Sequence, residues 1–65
     1  MNKPQKSDIE YRIDEFIVGR NAERNRAIVR RRLIDGISYE PLAEEFGLSV
    51  RQVKNIVSKS KLKMF

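Results

Sequence analysis

Arg51, Gln52, Lys54 and Asn55 stand close together near the end of the chain, with Ser49, Ser58, Lys59 and Lys61 around them. From Ser49 to Phe65 there are five cations and no carboxylate. Guanidinium and amide groups grip base edges in bidentate geometry, Arg on guanine and Asn or Gln on adenine, each good pair discriminating by about 1–3 kcal/mol. Hydroxyl and ammonium groups reach phosphate oxygens instead. This is chemistry for recognising a polyanion, not for making bonds. The 65 residues include no histidine and no cysteine. No nucleophile therefore has a base to pair with, and disulfides, thiol chemistry and the common zinc sites are out of reach. Scattered carboxylates alone make a poor transition-metal site. Neither enzyme activity nor a metal or cofactor is expected.

The distribution of charge extends the argument. Lys and Arg number 14 against 9 Asp and Glu, a net +5. Six arginines lie between Arg20 and Arg32 against Glu23 alone, while acids collect at 8–15 and 40–45. Charge segregated in this way marks a surface that meets polyanions. No apolar run exceeds three residues, as in Phe16-Ile17-Val18, so neither a membrane-spanning helix nor a secretory signal is expected. A cytoplasmic, nucleoid-associated location is expected. A chain this short forms one domain and buries only about 60% of the surface its unfolded form exposes. Such a core rarely supplies more than ~3–5 kcal/mol, so self-association or a ligand has room to contribute.

Positioning the candidate residues requires helices, and the apolar spacing supplies four. Residues 1–6 lack periodicity and read as a disordered arm, leaving 7–65 as the folded domain. Ser7-Asp8-Ile9-Glu10 has the form of a capping box. Ile9, Ile13, Phe16 and Ile17 then make one apolar stripe, giving a helix over about 8–18 that Gly19 ends. Asn21 is a cap for a second helix over about 22–35, with Ala27, Ile28, Leu33 and Ile34 inward. Asp35-Gly36 stops it, and Ile37 folds back on its last turn. Ser38 caps a short third helix over about 39–46, in whose first turn Pro41 is tolerated because amides there lack intrahelical partners. Gly47 ends that helix, and Ser49 caps a fourth over about 49–61, after which Leu62-Lys63-Met64-Phe65 either frays or packs back. The fold class is all-α.

Ala43 and Gly47 explain how the last two helices meet. A small residue lets them touch, and Gly47 supplies the positive φ of a tight turn. Leu42, Phe46, Leu48, Val53 and Ile56 fill the joint, and the pattern is that of a helix-turn-helix. On a helical wheel Val53, Ile56, Val57 and Ser60 share the inner face. Arg51, Lys54, Asn55 and Ser58 lie opposite, with Gln52 and Lys59 on the flank. A carboxylate on that outer face would meet phosphates, which accounts for the acids stopping at Glu45. Arg51, Gln52, Lys54 and Asn55 are thus assigned to base edges, Gln52 having a solvated flank position as its alternative. Tyr39, Ser49 and Ser58 are assigned to phosphates through their hydroxyls, although the Tyr39 ring could instead cover the joint. Lys59, Lys61 and Lys63 form a phosphate-tracking tail. Among Arg24, Arg30, Arg31 and Arg32, some are expected at the backbone (Arg31 first), and others in ion pairs with Asp14, Glu15 or Glu44.

The stretch RNRAIVRRRLIDGISYEPLAEEFGLSVRQVKNIV resembles the promoter-reading region four of bacterial sigma factors. The helix-turn-helix of LuxR-type response regulators is similar. Asp35-Gly36-Ile37-Ser38-Tyr39, the Leu42-Ala43 pair, Gly47-Leu48-Ser49 and Val53-Lys54-Asn55-Ile56 carry the likeness, which covers about half the chain. It implies four packed helices with the last in the major groove. Pro41 replaces an acid usual in that family, and Ser58-Lys59-Ser60-Lys61 replaces an arginine-led ending, so the family's base preferences do not transfer. The domains that melt DNA and grip polymerase do not fit in this length. A small sigma-like protein of this kind resembles products of phages and mobile elements.

The expected function is sequence-specific binding of double-stranded DNA by a small transcriptional regulator. One module of this kind buries only about 600–1,000 Å² on DNA, so a homodimer on paired half-sites is expected. The alternatives are a sigma-like module that contacts RNA polymerase, and a DNA-packaging or recombination accessory factor.

Overall fold

Ile28 and Val29 are consecutive, and neither has any exposed surface. A helix turns about 100° per residue, so neighbours can both be buried only if the helix is covered on two sides. The computed structural model, which describes residues 5–65, contains four helices and no strand among those residues. They are α1 (Lys6–Phe16), α2 (Ala22–Leu33), α3 (Tyr39–Phe46) and α4 (Val50–Met64). α2 and α4 touch each other and both remaining helices, whereas α1 and α3 do not meet. Ile28 joins Leu42, Ala43, Val53 and Val57 in one cluster, on the α3 side. Val29 joins Ile13, Ile17 and Met64 in the other, on the α1 side. Half-buried Ile56 packs against both. The all-α, four-helix class follows from these two half-cores on one α2–α4 spine.

The boundaries of α3 match the sequence reading, and those of the other helices move for identifiable reasons. α1 begins at Lys6, not Asp8, because the reciprocal spacing of a capping box is met earlier: the Gln5 N–H donates to Asp8 Oδ2 at 3.4 Å. Asp8 in the first turn also faces the positive helix end. Ser7 therefore lies inside the helix, which Lys6 opens and Gln5 caps; residues 1–4 lie outside the described part. α1 stops at Phe16 because Arg26 of α2 draws out its last carbonyls. Arg26 Nε donates to Ile17 O at 2.7 Å and Nη2 to Asp14 O at 3.2 Å. Ile17 is extended there, and Phe16 sits on the rim, 41% exposed, not in the stripe.

Asn21 precedes α2 in a left-handed conformation (φ 63°), and its side chain makes no cap. α2 closes at Leu33, two residues short of the expected Asp35. Ile37 does fold back: its N–H donates to Arg31 O at 3.1 Å, and Arg32 Nη1 donates to Ile37 O at 3.2 Å. Ser38 takes the extended N-cap conformation of α3, without a side-chain bond.

α4 continues past Lys61 because its last turn has something to bury. Met64 is 1% exposed among Ile13, Ile17 and Val29, and Arg12 Nη1 donates to the Met64 carbonyl. The same guanidinium lies 5.3 Å from the Phe65 ring centroid. A cation at a helix C-terminus satisfies an orphan carbonyl and complements the dipole. Met64→Ala should lower the unfolding free energy by about 2–5 kcal/mol. Leu62→Ala, at a position 84% exposed, should change it by less than about 0.5 kcal/mol. Urea titration followed by circular dichroism at 222 nm, the usual wavelength for helix content, checks both; equal effects would mean that the last turn is not docked.

Candidate nucleic-acid interface

Only Gly47, Leu48 and Ser49 separate α3 from α4. Gly47 has φ +66°, and a Cβ there would meet nothing within 4 Å, so backbone conformation and not space requires glycine. Its N–H donates to Glu44 O at 3.3 Å, and the Leu48 N–H to Ala43 O at 2.8 Å. These are the paired bonds of a Schellman ending. Leu48 then packs back on the cluster containing Leu42 and Ala43. Ala43, 5% exposed, sits where α3 approaches its neighbours.

The start of α4 is closed by a reciprocal box. Ser49 Oγ accepts from the Gln52 N–H at 3.1 Å, and Gln52 Oε1 accepts from the Ser49 N–H at 2.9 Å. This bears on two candidate residues. The Gln52 carbonyl oxygen already accepts the cap bond, so its amide donors are the groups with no partner among the described residues. Ser49 keeps its hydroxyl proton as a donor, while its oxygen serves the helix.

Along α4, Val53, Val57, Ser60 and Met64 are buried, and Arg51, Gln52, Lys54, Asn55, Ser58, Lys59 and Lys61 are all exposed. Arg51, Asn55 and Ser58 follow the outward row at helical spacing, and Leu62 completes it. Lys54 and Lys61 lie to one side, Lys59 and Lys63 to the other. Lys54 Nζ stands 5.7 Å from the centroid of the Tyr39 ring, and the Arg32 guanidinium 4.5 Å from it. Tyr39 is half-buried against the α2–α3–α4 cluster. Its ring thus covers the joint, and two cations sit on its faces in attractive geometry.

Arg31, assigned to a phosphate, is held in an ion pair. Its Nη2 lies 3.0 Å from Glu45 Oε1, tying α2 to the end of α3. Arg30 pairs with Asp14 at 3.5 Å, as the acid-pairing alternative had it. Arg24 donates through Nε and Nη2 to Asn25 Oδ1, both at 3.2 Å. With Arg26 and Arg32 on backbone carbonyls, Arg20 alone of the six has no such bond among the described residues. The arginine run on α2 is chiefly internal fastening, and most of the cations without such bonds among the described residues belong to α4.

Sequence reasoning missed Asn25, which lines a cleft of about 230 Å³ with Asn55, Lys59 and Lys63. No spacing along the chain signals that meeting of α2 with α4. No protein-family model, curated protein or solved structure matches this chain. No helix is long and apolar enough to cross a membrane among the described residues.

Since the Ser49 box supports the whole face, Ser49→Ala should destabilise the fold by about 0.5–2 kcal/mol. Ser49→Asp, which can still cap, should retain most of the stability. Thermal melts of the three proteins check this; an Ala variant as stable as the parent would remove the cap from the account.

Proposed function

We propose that this chain binds double-stranded DNA sequence-specifically, laying the outward face of α4 in the major groove, and acts as a small transcriptional regulator. One observation carries the reading. A well-anchored helix buries Val53, Val57, Ser60 and Met64 and turns outward a face of Arg51, Lys54, Asn55 and Ser58, with no acid along its length. A helix with side chains is about 10–12 Å across, and the major groove is about 12 Å wide. Arg51 and Asn55 occupy the middle of the face and read base edges. Lys59 and Lys61 lie beside them and meet phosphates; Lys54, first assigned to a base edge, stands over Tyr39 at the side of the row and joins them. Gln52 contributes chiefly its amide donors, and Arg31 starts from its ion pair with Glu45.

A second copy of the chain on a paired half-site belongs to the same reading, because one module covers little DNA. Exposed Tyr11 on α1, with Phe65 just past the end of α4, offers apolar surface outside the reading row.

Selection of bound sites from random duplexes at two salt concentrations tests the proposal. Arg51→Ala and Asn55→Ala should each relax preference at one base pair, by about 1–3 kcal/mol of discrimination. Lys61→Ala should weaken all sites alike and reduce the salt slope by about 1. A selected consensus identical for the parent and Arg51→Ala would sink the assignment.

A further inference from the structure

The cleft of about 230 Å³ lies between α4 and the junction of α1 with α2. Its apolar floor includes Ile17 and Ile56, and its polar lining includes Asn25, Asn55, Lys59 and Lys63, with no carboxylate. Asn55, Lys59 and Lys63 follow one another at four-residue intervals, so they form a single ridge along α4. Asn25 closes the other wall. A guanidinium only donates, so the atom that faces Arg24 Nε and Nη2 must be the Asn25 carbonyl oxygen. The Asn25 amide hydrogens are left as donors, with the Arg24 charge directly behind them.

The site therefore offers amide and ammonium donors above an apolar floor. A sugar–phosphate edge has the complementary make-up: anionic oxygens on the phosphodiester and C–H surface on the deoxyribose. Position in the fold points the same way. When a helix fills the major groove, its two flanks face the phosphates of opposite strands. One flank of α4 is the Lys54–Tyr39 side, and the other is this ridge.

We infer that the cleft seats one backbone phosphodiester of the duplex, on the strand that passes the α1–α2 junction, and so fixes the register in which α4 lies. The inference rests on the major-groove reading above. It separates Lys59 and Lys63, which act with Asn25 at a single phosphate, from Lys61, which lies on the other ridge.

The probe is the duplex recovered by selection with the parent protein, prepared as a series with one neutral methylphosphonate at each position and measured at low salt. On the expected result, one position on one strand weakens the parent about tenfold, in line with loss of charge-assisted bonds. The Lys59→Ala/Lys63→Ala variant no longer distinguishes that duplex from the unmodified one, while Lys54→Ala/Lys61→Ala still does. The Asn25 side-chain amide signals of the parent also shift on adding the unmodified duplex. Sensitivity retained by Lys59→Ala/Lys63→Ala at every position, or Asn25 signals that stay in place, would overturn the inference and leave groove binding standing. Failure of the parent to bind any selected duplex would instead overturn the reading beneath it.

Discussion

The bond from the Leu48 N–H to the Ala43 carbonyl, 2.8 Å long, is the constraint on which the rest of the molecule depends. It forms only if the chain reverses within three residues, and that reversal needs the left-handed backbone of Gly47. Once the bond is made, Leu42 and Ala43 face Val53 and Val57 and can share a cluster with Ile28. A longer or looser turn would let α4 rotate or slide against α3. The buried stripe and the polar row lie on one rigid cylinder, so such a rotation would carry Arg51 and Asn55 away from any fixed direction. Packing inside and presentation outside are thus set by the same local geometry.

Charge is organised around the helix ends. Arg12, Arg26 and Arg32 each donate to backbone carbonyls at or beyond the C-terminal ends of α4, α1 and α2. Carbonyls there lack intrahelical partners, and a half-buried one left unpaired would lose water without replacement. In a chain this small, such bonds fasten helices that have little apolar area with which to hold one another. The Arg30–Asp14 and Arg31–Glu45 pairs are exposed enough that each adds little stability, but each neutralises one acid by one cation. The net charge of +5 therefore says less about binding than its placement: the cations without carboxylate or carbonyl partners lie mainly on α4.

Much of this was legible in the sequence, because the governing signals are local. The Gly47 turn, the Ser49 cap, the inner face of α4 and the limits of α3 all follow from spacing over a few residues. What escaped was tertiary. Val29 stands outside the apolar face read for α2, because α1 covers that side only in the fold. For Met64 the sequence left fraying and packing back both open, and only the pocket formed by Ile13, Ile17 and Val29 decides between them. Phe16 reads as core by spacing but falls where Arg26 has already ended the helix. Arg31 reads as a free cation because Glu45, fourteen positions away in the numbering, is brought to it only by the fold. For the same reason the candidate face of α4 could be read from the sequence, whereas the wall that Asn25 adds to it could not.

α4 is held at both ends by different means, and this bears on what its surface can do. At the start, Ser49 and Gln52 close the first turn upon itself. At the finish, Met64 is buried and its carbonyl is held by Arg12 from α1. Between them the helix contacts all three others. Bidentate recognition of a base tolerates little positional error, since a guanidinium or amide displaced by about an ångström keeps attraction but loses discrimination. Exposed side chains on a frayed helix would still attract a polyanion through charge, yet they would read nothing. Here the polar row stands on a helix whose inner face, first turn and last turn are all fixed. That combination is what the proposed sequence readout requires of a basic surface.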